Sequence, residues 1–162
     1  MIYLTGMQKD KQQIKMVSTN RKAHHLYHIL ESYEAGIALM GTEVKSLRLG
    51  RANLKDSYAM VKGGEVYLHN LHISPYDPAS RFSHDPTRTR KLLLHRTEIK
   101  RLLGKTVERG LTLIPLKLYF KGKVAKVELA LCMGKKIYDR RKDIKDREVQ
   151  RELRRVLKER QR

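Results

Sequence analysis

Two histidine pairs are the first residues in this sequence whose spacing could support chemistry. His24 and His28 are four positions apart and His69 and His72 are three apart, so either pair could hold one metal ion if helical. The second pair falls in a predicted strand, however, and neither pair has a companion cysteine or acidic cluster. We therefore expect neither a metal site nor a cofactor at these histidines.

The arrangements that nucleophilic or nucleotide chemistry requires are also absent from the sequence. It contains no Gly-x-Ser-x-Gly and no glycine-rich loop ending in Lys-Ser/Thr, and its acidic residues do not pair as nuclease metal ligands would. The single cysteine, Cys132, lies in an apolar predicted strand, where a buried thiol is inert. We expect no catalytic residues and no enzymatic activity.

Cations, by contrast, are abundant and clustered. The 162 residues include 36 Lys and Arg against 17 Asp and Glu, a net charge of +19. A charge of this size repels itself unless a polyanion is near, and RNA or DNA is the usual partner. Aromatic residues are sparse, so backbone and shape recognition of a folded RNA is favoured over stacking on single strands. The basic clusters stand at residues 20–22, 48–51, 88–91, 121–126 and 134–141.

Length and hydropathy exclude other classes of protein. A chain of 162 residues fits one domain with a modest core. No stretch approaches the roughly 18 apolar residues of a membrane span, and the first residues lack the positive region of a signal peptide. We expect a soluble protein of the cytoplasm.

The elements that must position the basic clusters are mostly short strands. Phase changes near His69-Asn70 and at Pro115 predict β-bulges there. Residues 99–107 have helical spacing and stop at Gly110, and residues 42–48 favour a short helix. The pattern predicts a mainly β protein, an OB-fold-like closed antiparallel barrel with two or three flanking helices and a basic C-terminal tail. The predicted strands cover residues 33–40, 56–61, 65–73, 111–120 and 127–133.

Three segments follow from this pattern. We expect a flexible segment at residues 1–17, an RNA-binding barrel at residues 18–136 and a basic tail at residues 137–162.

The tail has an amphipathic pattern of its own. Residues 139–162 hold 11 basic and 6 acidic residues, a net of +5, which leaves +14 for the rest of the chain. At about 100° per residue, the aliphatic residues between Val149 and Leu157 fall within an arc of roughly 100°. So narrow a stripe cannot fold alone but can become helical against a surface. The alternative is a solvated terminal helix packed on the body.

Several ungapped stretches, in order along the chain, are recognisable. They are residues 20–23 (NRKA), 33–37 (YEAGI), 41–48 (GTEVKSLR), 85–95 (DPTRTRKLLLH) and 134–136 (GKK). Ordered matches of this kind are far more specific than a single motif. Over essentially its whole length the chain resembles the SmpB family, the SsrA-binding proteins of bacteria.

The resemblance implies an OB-fold barrel that binds transfer-messenger RNA (tmRNA) and delivers it to stalled ribosomes in trans-translation. The family takes the place of the anticodon arm that the tRNA-like part of this RNA lacks. The implied partners are tmRNA, the ribosome at its decoding centre and messenger channel, and elongation factor Tu with GTP, reached through the RNA. We expect the protein to bind as a monomer.

The resemblance also identifies residues expected to contact RNA. Asn20, Glu34, Leu93 and Lys126 fall where the family's RNA-binding residues lie. Glu34 is the electrostatic exception, because a carboxylate repels phosphate, so it should accept from a base edge or orient a neighbouring cation. The predicted RNA-binding set is Asn20, Arg21, Lys22, Glu34, Lys45, Arg48, Arg90, Lys91, Leu93 and Lys126.

The family's tail is disordered when free and helical in the empty messenger channel. Its signature after Gly-Lys-Lys is His or Tyr followed by Asp-Lys-Arg, and here Arg140 replaces the lysine, which keeps the charge but changes the geometry. Ser83 replaces the usual asparagine before His84. The predicted ribosome-binding residues are Gly134, Lys135, Lys136, Tyr138, Asp139, Arg140, Arg141, Val149, Leu153, Val156 and Leu157.

Two other interpretations compete with this one. A basic OB-fold ribosomal or initiation-type protein would bind the ribosome without the partner RNA. An RNA-processing enzyme would need acids or a nucleophile that the sequence does not offer.

Overall fold

Most of the structural elements are strands, which follow from short apolar runs separated by turn residues. The computed structural model describes residues 13–76 and 83–160. The helices there are α1 (Ala23–Leu26), α2 (Gly41–Arg48), α3 (Arg96–Arg109) and α4 (Ile137–Arg160). The strands are β1 (Ile14–Thr19), β2 (Tyr27–Ile37), β3 (Ala52–Asn53), β4 (Tyr58–Lys62), β5 (Glu65–His69), β6 (His72–Ile73), β7 (Arg90–Leu93), β8 (Thr112–Lys121) and β9 (Val124–Gly134). The protein is therefore mainly β, as predicted.

Seven of these strands form one antiparallel sheet in the order β1-β8-β4-β5-β7-β2-β9, and β8 also pairs with β9. The short strands β3 and β6 pair with each other separately. Two hairpins hold the large sheet together, and glycine makes their turns. Gly63 and Gly64 between β4 and β5 have φ of 59° and 75°, and Gly122 between β8 and β9 has φ of 62°. These left-handed conformations cost glycine nothing sterically, which is why both turns are recognisable in the sequence.

The two predicted phase changes have different structural outcomes. The register of β8 against β9 shifts between Pro115 and Lys117, which confirms the bulge predicted at the proline. Near Asn70, however, the predicted bulge is wrong. Asn70 has a left-handed φ of 59°, so β5 ends at His69 and the chain continues into β6, which belongs to the other sheet.

The core lies where the inward side chains of β5, β7, β8 and β9 meet. Leu47 of α2 and Leu102 of α3 are completely buried against it. Burying leucine side chains of this kind stabilises a fold by about 1.5–3 kcal/mol each. The strand residues of this core include Val66, Leu68, Leu92, Leu113, Leu118, Val127, Leu129 and Leu131.

Two strands include residues outside the predicted strands. β1 begins at Ile14, inside the segment expected to be flexible, because its backbone pairs with residues 117–121 of β8. Residues 1–12 of that segment lie outside the described part of the chain. β2 begins at Tyr27, six residues before the prediction, and pairs with β9 from Tyr27 to Gly36. Its first half has no cleanly buried face, since Leu30 is 48% exposed, so periodicity could not reveal it.

The C-terminal helix α4 projects from the body. Every described side chain from Ile144 to Glu159 is exposed, and α4 meets the body through its first turns, against α1. The helix is the conformation predicted for the tail on the ribosome, and its disorder in the free protein stays a prediction. Within residues 13–76 and 83–160, no helix is both long and apolar enough to span a membrane.

Candidate nucleic-acid interface

A row of residues across neighbouring strands forms the floor of the candidate interface. Gly36 of β2 pairs with Leu93 of β7 on one side and with Lys126 of β9 on the other, and Lys126 pairs with Tyr119 of β8. A Cβ at Gly36 would come within 3.2 Å of the Leu93 Cβ, so glycine keeps the row open at its centre. Leu93 is 53% exposed although it is a leucine. The register thus brings together two residues that the resemblance identified, Leu93 and Lys126.

These residues line a groove of about 320 Å³, which we call the central groove. Phe120 and Lys123 line both the central groove and a second depression that includes Lys15 and Arg48. The two depressions are therefore adjacent, and together they border on four cations, including Lys126. The central groove is lined by Gly36, Ile37, Leu39, Val44, Leu93, Phe120, Lys123, Val124, Ala125 and Lys126.

Glu34 lies two residues before Gly36 on β2 and therefore on the same face of the sheet. Its carboxylate accepts hydrogen bonds from Tyr119 Oη at 2.7 Å and from Lys121 Nζ at 3.1 and 3.3 Å, and it lies 4.0 Å from Lys126 Nζ. The Tyr119 and Lys121 hydrogen bonds hold the pKa of Glu34 below its usual range. Of the two roles open to Glu34, the structure favours the orientation of neighbouring cations.

Asn20 lies apart from the central groove, in the turn between β1 and α1. Its Nδ2 donates to the Pro115 carbonyl at 3.2 Å and its Oδ1 accepts from the Ala23 amide at 3.2 Å. Arg21 and Lys22 are exposed beside it. Asn20 and Lys22 line a depression of about 340 Å³, distinct from the central groove. The turn therefore presents two basic side chains to solvent on a fixed backbone.

Helix α2 presents its predicted cations to solvent. Lys45 Nζ lies 5.3 Å from the ring centroid of Tyr76, a cation–π distance, and Arg48 is exposed. The Arg48 carbonyl accepts a hydrogen bond from Lys15 Nζ at 2.9 Å, which places Lys15 beside the cations of α2.

Arg90 does not belong to the surface, which corrects the prediction. It is fully buried, and its guanidinium donates to Glu43 Oε1 at 2.8 Å and to the carbonyls of Leu71 at 2.5 Å and Pro86 at 3.1 Å. All of its charge is thus used inside the protein, and no donor remains for RNA. In the sequence Arg90 belongs to a cluster of cations. The side chains of β7 alternate between the two faces of the sheet, however, so Arg90 faces the core and its neighbour Lys91 faces solvent.

Lys91 is only half-buried, and its ammonium is paired with the Glu65 carboxylate. Tyr67 Oη donates to the same glutamate at 2.5 Å. Lys91 and Leu93 lie on one face of β7, so Lys91 stands at the edge of the candidate interface with its charge partly neutralised.

The base of the tail is fixed to the body, whereas the rest is not. Lys135 Nζ donates to the His24 carbonyl at 3.0 Å and to the Asp143 carboxylate, and Asp139 lies 3.7 Å from His28 Nε2. Tyr138 is 77% exposed, and Lys136 and Arg141 are also exposed. Gly134 closes β9, and Arg140 is half-buried. The aliphatic stripe of Val149, Leu153, Val156 and Leu157 faces solvent.

The loop with Ser83 has a structural role. His84 is buried, with Nε2 at 2.9 Å from the Ile73 carbonyl and Nδ1 at 3.0 Å from Thr42 Oγ1, so it ties the loop to α2. Ser83 Oγ accepts from the Tyr76 amide at 3.3 Å.

Cys132 is a buried free thiol, as the sequence predicted. Burial raises the pKa of the Cys132 thiol to about 11, so it stays protonated. Within the described ranges, no group of three His, Cys, Asp or Glu side chains is placed to hold a metal ion.

Sequence reasoning missed three residues of this surface: Tyr119, Lys121 and Lys15. Lys121 belonged to a recognised basic cluster, so the signal was present. Tyr119 carried none, because it lies 85 positions from the Glu34 that it contacts.

Known proteins are similar in sequence to nearly the whole of this chain. The SsrA-binding protein of Moorella thermoacetica is 63% identical over 92% of this chain and 97% of its own. That of Carboxydothermus hydrogenoformans is 61% identical over 90% of this chain and 98% of its own.

A solved chain from "tmRNA-SmpB: a journey to the center of the bacterial ribosome" is 57% identical, with a TM-score of 0.62, covering 74% of this chain and 84% of that one. The family model described as SmpB protein matches residues 17–159. Because that match includes the central groove and nearly all of the sheet and of α4, the chain belongs to the SmpB family.

Proposed function

We propose that this protein binds tmRNA, the SsrA RNA, and delivers it to stalled ribosomes for trans-translation. The observation that carries the proposal is the row of Leu93, Gly36 and Lys126 across three strands, bordered by Glu34. The relatives are named SsrA-binding proteins, and the similar solved chain is described with tmRNA and the bacterial ribosome.

The surface suits a folded RNA. Phosphate contacts dominate such binding, and cations along the two adjacent depressions can follow the backbone without reading bases. An exposed leucine beside them can pack against a ribose or base. The protein acts in this proposal by binding alone, as a monomer in the cytoplasm, with elongation factor Tu and GTP reached through the RNA.

We also propose that the sheet is a closed OB-like barrel. The pairings run from β8 through β4, β5, β7, β2 and β9 and return to β8. Such closure leaves no long unpaired edge in the ring and presents ligand-binding side chains on its outer face.

The tail is proposed to enter the empty messenger channel as a helix, with Asp139, Arg140 and Arg141 near the decoding centre. The exposure of residues 144–159 supports this against the alternative of a terminal helix packed on the body. Since most of the stability of a helix in a protein comes from tertiary packing, which these residues lack, the outer turns of α4 are expected to be disordered in the free protein.

The test is to sequence the RNA that copurifies with the protein. The wild-type chain should enrich tmRNA, and Leu93→Asp, which places a carboxylate at the centre of the groove, should lose most of it. Leu103→Asp is the matched control, because Leu103 is a similarly exposed leucine on α3, away from the groove. Recovery of ribosomal RNA without tmRNA would instead support the ribosomal-protein interpretation.

A further inference from the structure

The hydrogen bonds of Glu34 occupy both oxygens of its carboxylate. Oε2 accepts from Tyr119 Oη at 2.7 Å and from Lys121 Nζ at 3.3 Å. Oε1 accepts from Lys121 Nζ at 3.1 Å and lies 4.0 Å from Lys126 Nζ. A carboxylate offers about four lone-pair sites, so little accepting capacity remains for a nucleic-acid base.

The donors differ in mobility. Tyr119 is only 8% exposed, so its ring is held by packing and its hydroxyl is a fixed anchor for the carboxylate. Lys121 and Lys126 have long side chains that are 38% and 28% exposed and would otherwise sample many rotamers. A residue that orders such side chains before binding lowers the conformational-entropy cost of association.

The Glu34 cluster differs in position from two other clusters of the same composition. Two other described glutamates also accept from a tyrosine and a lysine: Glu31 with Tyr33 and Lys105, and Glu65 with Tyr67 and Lys91. Glu31 joins the sheet to α3, and Glu65 joins β5 to β7. The Glu34 cluster, in contrast, shares Lys126 with the central groove.

We propose that Tyr119 is a positioning residue that fixes Glu34, and that Glu34 in turn holds Lys121 and Lys126 side by side as one phosphate-binding site for RNA. The inference rests on the proposed RNA binding and adds Lys121 as an RNA-binding residue. Each lysine can donate to a phosphate while it stays beside the carboxylate, since an ammonium has three donors.

The first experiment measures the affinity of the full chain for the tRNA-like part of tmRNA over a series of salt concentrations. Glu34→Ala should bind more weakly and lower the salt slope by roughly 0.7–0.9 for each phosphate that is no longer neutralised, as should Lys121→Ala. Lys100→Ala, which removes an exposed lysine of α3, should leave the slope unchanged. Tighter binding by Glu34→Ala, or weaker binding with an unchanged slope, would overturn the proposal in favour of simple repulsion or of base recognition.

The second experiment tests whether Tyr119 acts through Glu34. Tyr119→Phe removes only the hydroxyl and should weaken binding by about twofold to tenfold, the effect of one hydrogen bond. In the Glu34→Ala background the same change should have no effect. Tyr33→Phe is the matched control, because it removes the equivalent hydroxyl beside Glu31, and it should bind as wild type.

The outcomes separate this inference from the proposed function. An equal decrease in affinity on Tyr119→Phe in both backgrounds would show a structural role only, as would a decrease matched by a lower thermal unfolding temperature. If the wild-type chain itself does not bind the RNA, the proposed function fails instead.

Discussion

At the scale of single residues, the most strongly constrained group is the buried carboxylate of Glu43. It is completely buried and accepts from Arg88 Nη2 at 2.6 Å, from Arg90 Nε at 2.8 Å and from the Met40 amide at 2.8 Å. Burial alone would raise the pKa of Glu43, but these hydrogen bonds outweigh it and leave the pKa below its ordinary value of 4.5. Arg90 is therefore a structural residue, which pairs with Glu43 in the core and does not belong to the candidate interface.

Replacing this carboxylate should be costly. Glu43→Gln should lower the free energy of unfolding at pH 7 by about 3–5 kcal/mol, because it leaves Arg90 buried without a counter-charge. Since the folded pKa is depressed, the contribution of Glu43 is present above about pH 4.5 and is lost as the pH falls through the folded pKa. Denaturant unfolding of both proteins between pH 3 and pH 7 should show the difference narrowing in acid.

The control for this prediction is Glu98→Gln. Glu98 accepts from the His95 amide at 2.9 Å, as Glu43 does from Met40, but lies at the exposed start of α3. Glu98→Gln should lower the free energy of unfolding by about 1 kcal/mol or less. Equal decreases for the two variants would show that helix capping, and not the buried ion pair, accounts for the effect at Glu43.

At the scale of elements, α4 differs from the rest of the fold in what it buries. Its first turns are tied to α1 and β2 through Lys135 and Asp139, and the pKa of Asp143 is lowered by the hydrogen bond from Lys135. Beyond Asp143 no described side chain is buried. Since tertiary packing supplies most of the stability of a helix in a protein, we expect a partner surface to stabilise this part of α4.

The apolar stripe of α4 should therefore matter only on the ribosome. A double change of Leu153 and Val156 to Asp should leave the affinity for tmRNA within about twofold of wild type and abolish tagging on stalled ribosomes, because no residue of the stripe lines the groove. Ile144→Asp is the control and should leave tagging normal, since Ile144 lies on the opposite side of the helix from the stripe. Normal tagging by the double variant would contradict the proposed role of the stripe.

At the scale of the whole molecule, charge is shared between the body and the tail. Residues 1–138 carry a net +14 and residues 139–162 a net +5. The groove, the β1–α1 turn and the exposed face of α2 all belong to the body. Long-range attraction of an RNA depends on total charge, whereas specific contacts depend on these surfaces.

A chain that ends at Lys136 should bind the tRNA-like part of tmRNA with nearly the full affinity. The difference from the full chain should grow as salt is lowered below about 50 mM, because the missing charge then acts over a longer Debye length. Fluorescence titration at two salt concentrations measures both quantities. A large decrease in affinity at high salt would show that the tail makes specific RNA contacts.

Several features of the protein could be predicted from the sequence because they depend on neighbouring residues. Glycines with positive φ mark the turns of both hairpins and, at Gly110, the end of α3. The alternation of β9, the spacing of α3 and the phase change at Pro115 are likewise local patterns. The charge total pointed to RNA, and ordered motifs pointed to the family, before any contact was known.

The tertiary structure alone decided which of those residues meet. Arg90 and Lys91 are adjacent in the sequence, yet the strand pleat buries one and exposes the other. Tyr119 reaches Glu34 only because β9 places β2 and β8 on its two sides in a fixed register. The sequence by itself determined the hairpin turns, α3, most of the long strands and the net charge, since backbone preference and charge are properties of single residues and short segments. Burial, ion pairing and the shape of the groove depend on strand register between distant segments, which no local pattern contains.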